Sequence, residues 1–349
     1  MKIFDNYKYL KELVELSSTF FCADEKTSEI ESIPVGGFKI NFSNKKTIYI
    51  DPESEYGRIY EKDRYDYNAL KKLRPNSIIL ISHFIDKKID FQFYPIHWIK
   101  TIAANKMPII SENVIKDGLC MLGGWTPRRK IIYEKLIKYH KHIMISYYPR
   151  QCKDWDEKHD ISFHHYVDPL IESLDIPEFR VQCISDKRLF TQESISTPND
   201  NNIITYSQII PHNLYSKTNI HFVAETEDDF QLKEKRHSDG FFVTEKTGKV
   251  LYSGSPWVIY GAEGFLKNLR YLGFKTFDDI IDESYDNVRC SYKRAEKAAD
   301  SFIEFVNQPV RIKKLALKKV KSRCTHNQEL ISDLKIWTAP VEEKILKIL

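Results

Sequence analysis

Residues 241–261 place a helix directly before a buried strand, and this order constrains the fold of the chain more than any other feature. Phe241-Phe242-Val243 is an apolar run, residues 247–252 have a helical composition, and Gly254-Ser255-Pro256 ends the helix. The apolar run at 256–261 is short, as in a strand buried on both faces. A helix that returns the chain to such a strand is the repeating unit of α/β proteins, so we expect a layered α/β fold.

The same pattern recurs along the chain. Short apolar runs predict strands at 77–82, 107–110, 119–122, 143–145 and 219–224. Helical spacing predicts helices at 2–16, 98–105, 128–140, 264–272 and 291–306. The alternating segments 38–42 and 47–50 flank a polar turn, which is typical of a hairpin. With 349 residues, the chain is long enough for about two domains.

Composition and charge exclude several classes of protein. The six cysteines are scattered without a C-x-x-C pair, which predicts reduced thiols and not a set of structural disulfides. The charged N-terminus has no apolar core of a signal peptide, and no run is long enough to span a membrane. A net charge of +4 does not by itself indicate a nucleic-acid binder. A cytoplasmic location is therefore expected.

Three polar residues stand where the helix of 247–252 begins. Thr244, Glu245 and Lys246 bring a hydroxyl, a carboxylate and an ammonium to a helix N-terminus. Helix N-termini favour a phosphate, and a neighbouring carboxylate can accept hydrogen bonds from a ribose diol. Taken alone, the residues favour an explanation without a ligand, with Thr244 as the N-cap and Glu245 complementing the helix dipole. The sequence leaves both interpretations open.

A second helix start supplies two arginines. Arg128 and Arg129 follow an apolar run and a loop that contains Gly123-Gly124, and α/β sheets bind ligands where a strand leads into a helix. Glu225 ends another apolar run and can face the same crevice. A nucleotide diphosphate between the two helix starts would meet arginine, lysine and N–H groups at its phosphates and a glutamate at its ribose.

Several short segments of the sequence are similar to segments of a known protein family. They are Y-S-K-T-N-I-H-F-V-A-E at 215–225, F-V-T-E-K at 242–246, the glycines and proline of 254–261, and the arginine-led R-K-I-I-Y-E-K-L-I-K-Y at 129–139. In these pieces the chain resembles the donor-binding half of the α1,3-fucosyltransferase family. The run L-R-x-x-G-F-K-T-F at 269–277, continued to Tyr285-Asp286, is similar to uncharacterised viral and phage glycosyltransferase-like proteins.

The resemblance implies a fold and an activity. The family has a GT-B fold, which implies two Rossmann-type layered domains facing a cleft, followed here by a helical C-terminal tail. The implied divisions are an acceptor-side domain at 1–110, a donor-binding domain at 111–310 with an insertion at 148–202, and a basic helical tail at 311–349. The implied reaction moves a sugar, such as fucose, from a nucleotide-diphosphate donor to a hydroxyl of a glycan or another acceptor.

The resemblance also implies site residues. The family's arginine and its T-E-K motif hold the donor nucleotide, which carries over to Arg129, Glu245 and Lys246, with Thr244, Glu225 and Arg128 beside them. A GDP-sugar is the favoured donor, no cofactor is required, and a divalent metal is not expected, because cationic side chains and helix N-termini stabilise the leaving diphosphate. The chain departs from the family in the long separation of its arginine from T-E-K and in residues 264–277, so the sugar stays open.

The catalytic base is not identified by the sequence. Candidate carboxylates near predicted strand ends of the N-terminal region are Asp51, Glu53, Glu55 and Asp86. Without a base in the cleft, the alternative is a non-catalytic module that binds a glycan or a protein on the same scaffold. Rival metal sites are the D-x-D of Asp154 and Asp156, interpreted as a charged surface loop, and a weak zinc set made of Cys152, His159, His164 and His165.

Residues 311–323 are rich in lysine and arginine. Ile312, Leu315, Ala316 and Val320 are predicted to share a helical face that docks on the protein, with the charges in solvent. The alternatives are a weak contact with an anionic membrane and, less favoured, a contact with nucleic acid. A nucleic-acid partner is not expected, and basic side chains scattered over the helix would count further against it.

Overall fold

The chain has the predicted α/β character. The computed structural model describes residues 27–32, 38–42, 47–51, 78–81, 92–93, 95–105, 109, 113–123, 126–148, 166–169, 210–225 and 241–348. Within these residues ten strands form two five-stranded sheets, and helices pack on the second sheet. The predicted helix at 2–16 lies outside the described residues, as does most of the strand predicted at 107–110.

The first sheet is mixed and follows chain order. Its strands are β1 (Thr27–Ser32), β2 (Phe38–Phe42), β3 (Thr47–Asp51), β4 (Ile78–Ile81) and β5 (Gln92–Phe93). The β1, β2 and β3 strands pair antiparallel, so the hairpin predicted at 38–50 is confirmed. The β3, β4 and β5 strands are parallel. A mixed sheet of this kind joins hairpins to crossover connections in one layer.

The second sheet is mostly parallel. Its strands are β6 (Lys116–Gly123), β7 (Ile143–Tyr148), β8 (Tyr166–Val167), β9 (Thr218–Ala224) and β10 (Trp257–Tyr260), arranged in the order β10-β9-β6-β7-β8. Four of these strands are parallel, and the short β8 pairs antiparallel with β7 at one edge. The β8 strand falls inside the segment predicted as an insertion, so part of 148–202 extends this sheet.

Eight α-helices accompany the strands in the described residues. They are α1 (Ile96–Ala104), α2 (Pro127–Leu136), α3 (His212–Tyr215), α4 (Glu245–Tyr252), α5 (Phe265–Tyr271), α6 (Ser291–Asn307), α7 (Val310–Ser332) and α8 (Leu334–Ile348). The helices predicted at 98–105, 247–252, 264–272 and 291–306 are confirmed with shifts of one or two residues at their ends. The helix predicted at 128–140 ends earlier, because its last turn tightens into a 3₁₀ helix at Ile137–Tyr139.

The helices cover both faces of the second sheet. Parallel neighbours point the same way, so Cys120 of β6 and Phe222 of β9 share a face, and Phe302 of α6 packs edge-to-face on Phe222. His221 points to the opposite face, where its Nδ1 lies 3.1 Å from the Ser253 hydroxyl at the end of α4. Layers on both sides explain why apolar residues predominate in the four parallel strands.

Helices α1 and α4 run side by side in the same direction. A side chain at Gly248 of α4 would come within 3.0 Å of Trp98 in α1, so glycine permits the close approach. One turn further on, the Tyr252 hydroxyl donates to the Asn105 carbonyl at 3.0 Å. The first turns of the two helices are therefore neighbours, and their positive dipole ends lie together.

The long helix α7 docks on a face that overlaps the predicted one only in part: Val320 is buried and Ala316 partly buried, as predicted. Its buried residues are Lys313, Val320, Cys324, Asn327 and Ile331, whereas Ile312 and Leu315 are 47% and 57% exposed. Lys313 is drawn inward because its Nζ donates to Asp117 at 2.5 Å and to the Val306 carbonyl at 2.9 Å. Two polar anchors, Lys313 and Asn327, thus fix the rotation of the helix. Among the described residues, no helix is both long and apolar enough to cross a membrane.

Candidate functional site

The second sheet has a topological switch point between β6 and β9. From β6 the chain passes through α2 to β7 on one side, whereas β9 passes through α4 to β10 on the other. Connections that leave in opposite directions open a crevice at the carboxyl ends of the two central strands, where open α/β sheets bind ligands. We call this place the switch-point edge and define it by Gly123, Arg129, Glu225, Thr244, Glu245 and Lys246.

Arg129 braces the two central strands at this edge. Its Nη1 donates to the Gly123 carbonyl at the end of β6, and its Nη2 donates to the carbonyls of Ala224 and Glu225 at 3.1 and 3.2 Å. The side chain lies in the first turn of α2, where the Thr126 hydroxyl accepts from the Arg129 N–H at 3.1 Å. The guanidinium is buried and places a fixed positive charge between the strands.

Glu225 anchors the start of α4. Its carboxylate accepts from the Thr244 N–H at 3.2 Å, from the Thr244 hydroxyl at 2.7 Å, from the Thr247 N–H at 3.3 Å and from the Thr247 hydroxyl. The side chain is only 3% exposed, so these bonds form away from water. Helix N-termini favour an anion, and here a carboxylate from the neighbouring strand supplies it. Glu225 therefore faces the helix start and lies beneath the surface of the edge.

Thr244 is the N-cap of α4. Its hydroxyl accepts from the Lys246 N–H at 3.2 Å, which confirms the ligand-free interpretation of this residue. Thr244 is also 1% exposed. Its structural role is thus shown, while its predicted contact with a nucleotide stays a prediction.

Glu245 and Lys246 form the outer layer of the edge. The Lys246 Nζ lies 2.8 Å from a Glu245 oxygen, and the two side chains are 27% and 16% exposed, respectively. Burial alone would raise the pKa of Glu245, but the positive charges of Lys246, His97 and Lys249 overcome it and lower that pKa to about 2. Glu245 therefore stays ionised, and this pair is the part of the edge that an incoming ligand can reach.

Arg128 is directed away from this pair. It is 2% exposed, and its guanidinium carbon lies 5.6 Å from the centre of the Tyr292 ring at the start of α6. The two predicted arginines thus have different surroundings, one between the central strands and one against α6. Of the six predicted binding residues, the structure gathers Arg129, Glu225, Thr244, Glu245 and Lys246 at one edge.

The charge of Glu245 makes stability depend on pH. Its pKa falls from 4.5 to about 2 on folding, so its stabilising contribution is complete above pH 4.5 and is lost as the pH falls towards 2.

We predict that the difference in unfolding free energy between wild type and Glu245→Gln narrows by about 2 kcal/mol between pH 6 and pH 3. Urea unfolding at both pH values measures it. Glu296→Gln, at an exposed position of α6, is the control, and parallel pH profiles for wild type and Glu245→Gln would contradict the prediction.

Sequence reasoning missed His97. It is 8% exposed in the first turn of α1, its ring packs edge-to-face on Phe242 with centroids 6.0 Å apart, and its charge acts on Glu245. No spacing signal links His97 to Glu245, because the neighbourhood arises from the parallel packing of α1 and α4. Asp51 ends β3, and the other candidate bases, Glu53, Glu55 and Asp86, lie outside the described residues.

The motif at 283–286 also has a structural role. The Asp286 carboxylate accepts from the N–H groups of Leu266 and Lys267 at 2.9 and 3.2 Å, which caps α5. Glu283 accepts from the Phe277 N–H at 2.6 Å and pairs with Arg270. Both carboxylates therefore hold the segment after β10 in place.

A groove of about 580 Å³ lies elsewhere, between residues 278–282, α6 and α7. Its lining includes the carboxylates of Asp278, Asp279, Asp282 and Glu304, which disfavour a nucleotide diphosphate. No group of three or more His, Cys, Asp or Glu side chains in the described part of the chain could hold a metal ion. The D-x-D at 154–156 and the zinc candidates at 152–165 lie outside that part.

Comparison with protein-family models, curated proteins and solved structures finds no match to this chain. The likeness to fucosyltransferases therefore stays a prediction from the residues quoted above.

Proposed function

We propose that the protein transfers a sugar from a nucleotide-diphosphate donor to a hydroxyl acceptor, with the donor bound at the switch-point edge. The observation that carries the proposal is the partly exposed ion pair of Lys246 and the ionised Glu245, which lies where β6 and β9 end and α2 and α4 begin. This is the position at which parallel α/β sheets bind nucleotides.

Two layers of the edge have separate tasks in this proposal. The inner layer, Arg129 and Glu225, holds the strand ends and the start of α4 rigid through buried hydrogen bonds. The outer pair meets the donor, with Lys246 at the diphosphate and the ionised Glu245 accepting from the ribose hydroxyls. Rigid placement of these charges lowers the cost of organising them when the donor binds.

The reaction also requires stabilisation of the leaving diphosphate and removal of the acceptor proton. As the bond between sugar and diphosphate breaks, negative charge grows on the leaving diphosphate, and the ammonium of Lys246 stabilises it. A base removes the proton of the acceptor hydroxyl, and the N-terminal region is the proposed source of that base. The GT-B arrangement, the GDP-sugar preference and the possible transfer of fucose are parts of the same proposal and rest on the resemblance.

A non-catalytic binding module is the second candidate. The observation that favours it is the occupation of the α4 start by Glu225 and Thr244, which leaves the outer pair as the main contact for a ligand. Such a module would bind a nucleotide or glycan without turnover.

Thermal unfolding against GDP, UDP, CDP, GDP-fucose and UDP-glucose, each with and without Mn²⁺, tests the proposal. A ligand present at 100 times its dissociation constant adds about 2.7 kcal/mol of stability, so binding is visible. Stabilisation by one nucleotide, together with release of its diphosphate from the matching nucleotide sugar, supports a transferase. Stabilisation without release supports the binding module, and no stabilisation by any compound contradicts the transferase and any module that binds a nucleotide.

A further inference from the structure

We infer that the first three turns of α7 form a surface that binds an anionic membrane. Four basic residues at exposed positions, Arg311, Lys314, Lys318 and Lys321, follow one another at spacings of three and four and so line one side of the helix. We call these four residues the α7 basic stripe. It lies beside the buried face of α7 and does not include any residue of that face.

The charges of the stripe are available to a partner. The other basic residues of this segment are engaged within the protein: Lys313 pairs with Asp117, while Lys319 and Arg323 both pair with Asp279. For the stripe residues, no ion pair with another described residue is formed. Four cations at one surface attract an anionic partner, and each lysine or arginine near anionic lipid contributes about 1 kcal/mol.

Apolar side chains in the same turns favour a lipid surface over a nucleic acid. Val310 and Leu315 are 63% and 57% exposed, and they flank the beginning of the stripe on its two sides. Large apolar groups mixed with cations are typical of helices that lie in the membrane interface, where the apolar groups enter the boundary of the acyl chains. A nucleic-acid backbone would use the cations and gain nothing from these two apolar residues.

The acidic groove does not cover the stripe. Ile312, Leu315, Ala316 and Lys319 border the groove on the adjacent side of the helix, with Leu315 at the boundary between groove and stripe. None of the four stripe residues lines the groove, so Asp278, Asp282 and Glu304 lie to the side of a membrane that rests on the stripe.

Vesicle co-sedimentation of the full chain tests the inference. Vesicles containing phosphatidylserine are expected to bind the protein, and vesicles of phosphatidylcholine alone are not. The double variant Lys314→Gln/Lys318→Gln is expected to weaken partitioning about 30-fold, since each lysine contributes about a factor of five. The matched control, Lys293→Gln/Lys297→Gln, removes two exposed lysines with the same spacing from α6 and should leave partitioning unchanged.

Leu315→Ser separates a membrane from a soluble polyanion. It should weaken vesicle binding about tenfold, because the leucine no longer enters the interface. Equal binding to the two kinds of vesicle, equal loss in both double variants, or preferred binding to a DNA oligonucleotide that is insensitive to Leu315→Ser would each overturn the inference. Thermal unfolding of every variant confirms that the fold is intact, and nucleotide binding at the switch-point edge is a separate measurement.

Discussion

Replacing Glu225 by alanine is expected to lower the free energy of unfolding by about 4 kcal/mol, because several buried donors lose their acceptor together. Two N–H groups and two hydroxyls, from Thr244 and Thr247, donate to this one carboxylate. Loss of an N-cap alone costs about 1 kcal/mol, and each further unsatisfied buried donor adds to that cost. Urea unfolding, followed by the fluorescence of the buried Trp98 and Trp257, measures the change.

Two variants control the Glu225 experiment. Glu225→Gln keeps one carbonyl oxygen as an acceptor and should lose about half as much stability. Glu263→Ala removes a glutamate at an exposed position after β10 and should change stability by less than about 0.5 kcal/mol. A loss below about 1 kcal/mol for Glu225→Ala would contradict its assignment as the anchor of α4.

Replacing Arg129 by methionine is expected to cost about 3 kcal/mol of unfolding free energy. Methionine keeps an unbranched apolar side chain but leaves the carbonyls of Gly123, Ala224 and Glu225 without the guanidinium donors. Arg129→Lys should recover only part of the loss, since a single ammonium cannot reproduce the planar fork that spans two strands. The same urea titrations provide the measurement.

Replacement of an exposed arginine elsewhere in the chain is the matched control for the Arg129 experiment. Arg289→Met, at an exposed position, is expected to leave stability unchanged within about 0.5 kcal/mol. If Arg129→Lys were as stable as the wild type, the planar guanidinium would not be needed. Its hydrogen bonds to the ends of β6 and β9 would then not explain why Arg129 is buried.

Local pattern was enough to predict the elements that form the switch-point edge. The short apolar runs before Arg128 and Glu225 could only be buried strands, and the turn at 254–256 fixed the end of α4. Their order along the chain predicted an α/β fold. The two-residue β8 was not predictable, because a strand this short shows no alternation.

The roles of individual side chains were less predictable, because their partners lie far away in sequence. The sequence predicts Arg129 beside a phosphate, but it gives no sign of the carbonyls 95 and 96 residues further along the chain to which the guanidinium donates. Lys313 was expected in solvent with its neighbours, yet it is buried by an ion pair with Asp117, 196 residues away. Sequence spacing carries no information about such contacts, which follow from the packing of the sheet and α7.

Calorimetric titration of GDP, UDP and CDP into the wild-type protein and into Lys246→Met tests the central claim most directly. The account predicts that one diphosphate binds at a single site and that Lys246→Met weakens this binding at least about tenfold, the equivalent of 1.4 kcal/mol for one charge-assisted contact. Lys267→Met, which removes a lysine at an exposed position in α5, should bind as the wild type does. No binding of any diphosphate, or equal binding by Lys246→Met and the wild type, would contradict the placement of a nucleotide at the switch-point edge.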